Sequence, residues 1–224
     1  MTTQPVDVEP AVESARRQKT RERLMDAAFD VFAEQGVHAA SIEAVTERAG
    51  FTRGAFYSNF ASKDELFFAL AERENGVRLD RLQEGIDIIF PTLGTPVESL
   101  DIEAVAEIVD RFMLLQPNDR HWCIVESEFR TLALRSPEVA ARYIDYETRI
   151  DTRLARLLED AVGTVGLRFT IDSLQATRII TTLAQQATYD AILAGPDVAT
   201  DDLARANARR VLPAVLLGLT EPVA

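Results

Sequence analysis

Residues 41–60, SIEAVTERAGFTRGAFYSNF, read as two short helices joined by a tight turn. Ser41 can cap the first helix, whose inward positions are Ile42, Val45 and Ala49. Gly50 supplies the turn, and Thr52 caps the second helix. That helix opens with Thr52-Arg53-Gly54 and carries an aromatic–polar run, Phe56-Tyr57-Ser58-Asn59-Phe60. Two helices joined by a short glycine turn form the helix-turn-helix pattern. In that geometry the second helix lies in the major groove with its N-terminal residues at base edges.

Each residue there has a chemical reading and a plainer one. Arg53 can contact guanine through two hydrogen bonds. Gly54 lowers helix stability by roughly 1 kcal/mol relative to alanine, which makes sense where backbone must approach another surface closely. Tyr57 shares the face of Arg53, four residues on, and its hydroxyl can reach a phosphate. Ser41 and Thr52 stand at helix N-termini, which attract anions. Lys63 opens a helix, where the dipole disfavours a cation; Asp64 and Glu65 offset this, and a DNA phosphate would do so more directly. The plainer reading of Lys63 is a solvated side chain. Phe56 and Phe60 are expected in the core with Phe29, Phe32 and Ile42. The basic run Arg16, Arg17, Lys19, Arg21 and Arg23 is either a phosphate-contacting arm or a solvated helix face.

Working outward, the periodicity predicts an all-α chain of about nine helices. Residues 1–14, with Pro5 and Pro10, are expected as a disordered leader. A first helix is predicted over 16–35, with Leu24, Ala28, Val31 and Phe32 on one face and Gly36 as its stop. Ser62-x-x-Glu65 forms a capping box for a fourth helix reaching about Phe90. A loop at 91–96 and helices over 101–115, 119–135, 137–162, 171–193 and 200–217 follow. Pro117-Asn118, Ser136-Pro137-Glu138, Gly163, Gly166 and Gly195-Pro196 punctuate them. The expected division is a helix-turn-helix domain over 15–70 and a larger helical domain over 71–224.

Composition sets the outer bounds. The net charge is −12, an apparent objection to nucleic acid, but residues 15–70 carry eight Lys/Arg against eight Asp/Glu. Binding follows the local field more than the total. A single cysteine, Cys123, leaves no internal disulfide framework and fits a reducing compartment. The N-terminal stretch has no apolar signal region, and no apolar run reaches membrane-spanning length. A cytoplasmic, non-membrane protein is therefore expected. No cofactor or metal is implied: His38 and His121 lack ligand spacing, no phosphate-binding glycine loop occurs, and an enzyme finds no support.

In order and spacing, residues 20–70 resemble the DNA-binding domain of the TetR (tetracycline repressor) family. The shared features are Ala27-Ala28, Phe32, Gly36, Ser41-Ile42, Ala49-Gly50-Phe51-Thr52-Arg53-Gly54, Phe56-Tyr57, Phe60, Lys63 and Glu65-Leu66. The resemblance implies an all-helical homodimer in which an N-terminal domain binds palindromic double-stranded operator DNA. The C-terminal domain would hold a small-molecule effector and the dimer interface. Most members repress and are released by ligand. By motif position, Ser41, Thr52, Arg53, Gly54, Tyr57, Asn59 and Lys63 would meet DNA. Asn59 stands where the family often has histidine or another polar residue.

The C-terminal part agrees with a dimer. Residues 211–219, VLPAVLLGL, are apolar nearly all round, and Ile179, Ile180, Leu183, Ala184 and Ala187 widen the apolar face of the preceding helix. A homodimer through the last two helices is expected, with Pro213 kinking the last one. The plainer reading is an ordinary buried terminal helix. For the effector, Phe112, Trp122, Glu126, Phe129, Tyr143, Tyr146, Gln186 and Tyr189 are candidate lining residues, since small-molecule sites are apolar clefts with few polar groups. Against this, the aromatics can be core, Glu126 can pair with Arg130, and Gln186 can face a dimer partner. The competing function is a helical protein-binding module with no DNA role, which leaves Thr52-Arg53-Gly54, Tyr57 and Lys63 unexplained.

Overall fold

The computed structural model describes residues 9–89, 101–115, 120–195 and 199–223. Helices dominate: α1 Glu9–Gln35, α2 Ile42–Ala49, α3 Arg53–Tyr57, α4 Lys63–Ile89, α5 Ile102–Leu115, α6 Arg120–Arg135, α7 Pro137–Thr164, α8 Ser173–Leu193 and α9 Thr200–Leu219. Two three-residue strands, β1 Leu167–Phe169 and β2 Thr220–Pro222, pair antiparallel. The all-α reading and the helix order hold. The expected loop at 91–96, Pro117-Asn118 and Pro196 lie outside the described residues.

Three expectations change. Helix α1 begins at Glu9, so residues 9–14 of the expected leader are helical. Proline in a helix's first turn sacrifices no hydrogen bond, which is why Pro10 does not stop it. The second change is the small sheet. Arg168 faces Glu221 across it and forms an ion pair at 2.5 Å. Val223 N–H donates to Gly166 O, which fastens the chain end to the α7–α8 connection. Three-residue strands give too little alternation to read in sequence.

The third change concerns grouping. The chain divides into two compact units, one of residues 1–73 with 121–141, the other of residues 74–120 with 142–224. Helix α6 therefore packs with the N-terminal helices. Phe129 of α6 is fully buried and stacks on Phe67 of α4, with Phe68 edge-on to it. Leu24, Val31, Phe32, Val45, Phe56 and Phe60 complete this core, as their spacing predicts. In the second unit α5, α8 and α9 meet around Val105, Val109, Ala187, Ala208 and Leu212. Ion pairs of Arg205 with Asp110 and of Arg209 with Glu103 join α9 to α5. Pro213 lies within α9 and is buried.

Candidate nucleic-acid interface

The predicted caps are made. Ser41 Oγ accepts the Ala44 N–H at 3.1 Å, and Thr52 Oγ1 accepts the Ala55 N–H at 3.3 Å. Gly50 ends α2 at φ 70°, where a Cβ would be strained, and its N–H reaches the carbonyls of Thr46 and Glu47. Ser62 Oγ accepts the Glu65 N–H, and the Glu65 carboxylate returns to the N–H of Ala61, one residue before the expected Ser62.

This corner is clamped by arginines of α1. Arg23 donates to Ala49 O at 2.8 Å, at the end of α2, and lies 4.6 Å over the Phe51 ring. Arg21 donates to Asn59 O and lies 4.2 Å over Phe60, while Arg17 reaches Ser58 O at 3.4 Å. Carbonyls at helix ends lack intrahelical partners, and these cations supply them. Arg17 and Arg23 are exposed, as on a solvated face, and all three arginines also reach backbone carbonyls. They hold the ends of α2 and α3.

The outward face of α3 is exposed at Thr52, Arg53, Gly54, Tyr57 and Ser58. Tyr57 is 50% exposed, braced edge-on by Phe56. Arg53 pairs with Glu43 of α2, Nη1 to carboxylate 2.7 Å, and its Nη2 lies 3.5 Å from the Tyr57 hydroxyl. The Tyr57 hydrogen bond and the Glu43 charge raise the Arg53 pKa, so it stays a cation. Sequence reasoning missed Glu43, because nothing local announces a partner ten positions away in the facing helix.

Gly54 is free of internal need. A Cβ added there would meet only Thr52 Oγ1, at an ordinary 3.7 Å. Nothing within the described residues requires a glycine at this exposed site.

Two expected contact residues point elsewhere. Asn59 is 8% exposed, and its Nδ2 donates to Ala55 O at 2.8 Å. It finishes α3 from inside the domain. Lys63 Nζ donates to Val37 O at 2.6 Å, His38 O at 3.1 Å and Ala40 O at 2.9 Å. An ammonium has three donors, so all are used on the α1–α2 turn. Burial lowers the Lys63 pKa, and Asp64 acts in the opposite direction. The solvated-lysine reading also fails: the locally awkward cation is satisfied by carbonyls 23 to 26 residues away. Glu128 of α6 grips the same turn by accepting the Val37 N–H.

The candidate effector residues divide between the two units. Trp122, Glu126 and Phe129 lie in the first. Trp122 and Phe129 are buried, and Glu126 pairs with Arg130 at 3.7 Å. In the second unit, Tyr143 and Tyr146 are buried with ring centroids 6.2 Å apart, and Asn75 donates to the Tyr146 hydroxyl. Phe112 packs beside Gly85 of α4, where an added Cβ would lie 3.6 Å from its ring. Gln185 donates to the Tyr189 hydroxyl at 3.0 Å. Gln186 is exposed and bonds Asp190, so it faces away from the interior of its unit. No group of metal ligands occurs among the described residues, and none of their helices is long and apolar enough to cross a membrane.

Comparisons agree with this geometry. Residues 24–70 match the model of bacterial regulatory proteins of the tetR family. The HTH-type transcriptional regulator SrpR of Pseudomonas putida is 43% identical over 68 residues, 30% of this chain and 32% of that relative. The chain thus spans about a third of SrpR's length, and SrpR speaks for that stretch alone. The HTH-type transcriptional regulator UidR of Escherichia coli is 27% identical over 188 residues, 84% of this chain and 86% of UidR. The transcriptional regulator FadR of Bacillus subtilis, solved with stearoyl-CoA, shares the fold at TM-score 0.63 and 18% identity over 84% of this chain and 95% of its own. The capped glycine turn, the exposed α3 face and the matched segment agree in making residues 24–70 similar to the DNA-binding domain of bacterial regulatory proteins of the tetR family.

Proposed function

We propose that this regulator is a ligand-responsive repressor that binds palindromic operator DNA as a homodimer in the cytoplasm and is released by a small molecule. The observation that carries the DNA reading is the exposed α3 face, with Arg53 and Tyr57 outward beside a glycine the fold does not require. Gly54 lets backbone approach a surface, Arg53 takes a guanine edge, and Tyr57, Ser41 and Thr52 meet phosphates. Lys63 and Asn59 act from inside, by fixing the turn and the end of α3.

Dimerisation through α8 and α9 is supported by their outer faces. Ile179 is 41% and Val211 45% exposed, and Ala206, Ala214 and Gly218 lie exposed along one face of α9. Small residues at helical spacing permit close helix approach. A twin α3 then reads the second half-site about one or more helical turns away. The effector reading rests on the buried tyrosines of α7 and on FadR, a protein of the same fold, having been solved with stearoyl-CoA.

Selection from a randomised duplex library tests the function. The expected product is an inverted repeat; enrichment of no sequence contradicts the proposal.

A further inference from the structure

The ion pair between Glu43 and Arg53 is not what closes the α2–α3 corner. Gly50, its backbone hydrogen bonds and Arg23 on Ala49 O already do that. Both paired side chains are more than half exposed, 60% for Arg53 and 55% for Glu43, and such pairs add little to stability. The pair matters for what the guanidinium can do next. Glu43 holds Nη1 at 2.7 Å, and the Tyr57 hydroxyl lies 3.5 Å from Nη2. The Tyr57 ring centroid is 5.8 Å from the guanidinium carbon. The fork is thus contacted at both terminal nitrogens by residues of two helices, which biases its direction.

A guanidinium has five N–H donors. One directed to Glu43 and one to Tyr57 leave three, enough for a two-bond contact to guanine O6 and N7. An arginine without such a brace rotates freely and takes any phosphate in reach. A carboxylate beside it changes the balance. Glu43 repels phosphate oxygens and accepts only donors, and desolvation under DNA would penalise it if Arg53 swung away.

We propose that Glu43 is a specificity-determining positioning residue: it holds Arg53 for a base edge and denies it to phosphates. This rests on the DNA-reading assignment of Arg53 made above. Glu43 lowers binding to DNA in general and raises the preference for the selected duplex.

The test uses the full chain, the duplex enriched by the wild-type protein and a random-sequence duplex of equal length. Glu43→Gln keeps shape and removes charge. It should tighten binding to random duplex and reduce the ratio of selected to random affinity about tenfold, the scale of one two-bond base contact. In an Arg53→Ala background the same substitution should leave that ratio unchanged. Glu43→Asp, which keeps the charge, should restore part of the ratio. An unchanged ratio for Glu43→Gln, or an equal loss with and without Arg53, overturns the proposal. Should the wild-type chain enrich no duplex at all, the DNA-reading assignment fails, an outcome separate from these.

Discussion

Lys63 and Val37 are joined by a hydrogen bond of 2.6 Å from ammonium to carbonyl, linking the start of α4 to the turn that precedes α2. The same ammonium holds His38 O and Ala40 O, and Glu128 holds the Val37 N–H from the other side. The position of α2, and of the α3 it supports, is set by this turn. Lys63→Met should destabilise the chain by about 1–3 kcal/mol, because it removes the donor from two part-buried carbonyls, Val37 O and Ala40 O, and from the exposed His38 O. Urea unfolding measures this. The salt slope of DNA binding should stay as in the wild type, whereas a lysine on a phosphate would lower it by about one on removal.

Gly54→Ala separates folding from binding. With no internal contact closer than 3.7 Å, the new methyl has room in the free protein. Alanine is also the better helix residue, by up to about 1 kcal/mol. Thermal melting should therefore be unchanged or raised. Affinity for the selected duplex should fall about tenfold, a loss of about 1.4 kcal/mol, through a methyl interposed between backbone and DNA. Lowered melting with unchanged affinity would show that the glycine serves the fold.

Ala214→Arg tests the partner face. Ala214 is exposed within one chain, so arginine there should not disturb the fold of that chain. Across a helix–helix interface of small residues it is too large. Sedimentation should shift from twice the 24.9 kDa chain mass to the single mass. An unshifted dimer places the interface elsewhere.

Acid should loosen the tie between α1 and α2. The Arg48 hydrogen bond holds the Glu34 pKa below the ordinary carboxylate value of 4.5. A depressed carboxylate contributes stability above its unfolded pKa and loses it as pH falls through the folded one. Glu34→Gln should thus melt slightly lower than wild type at neutral pH, and the gap should close below pH 4.5 as Glu34 protonates. Both groups are solvent-exposed, so the difference is small and shrinks in high salt.

What the sequence made legible was local. Ser41, Thr52 and Ser62 cap helices by reaching three residues ahead, and Gly50 needs only its own φ. Such signals lie within one turn of chain, so a linear reading finds them. The partners of Lys63, Arg21 and Arg23 lie 23 to 38 residues away, and their chemistry depends on packing that no local pattern encodes. Three cations of a run read as an arm or a wet face thus also hold carbonyls at the ends of α2 and α3. Trp122 and Phe129 share a face with Glu126 whether they line a cleft or fill a core, since both uses need apolar residues at the same spacing. The stacking of Phe129 on Phe67, with Phe68 edge-on, packs that one ring among the aromatics of α4.

The central claim is that the exposed α3 face reads DNA, and equilibrium binding across a salt series tests it most directly. Wild-type chain should bind its selected inverted-repeat duplex far more tightly than random duplex, with log affinity falling linearly against log salt at a slope of about −0.9 per phosphate contacted. Arg53→Ala should erase most of the preference between the two duplexes. Salt-independent binding, or equal affinity for both duplexes in wild type, would contradict the account.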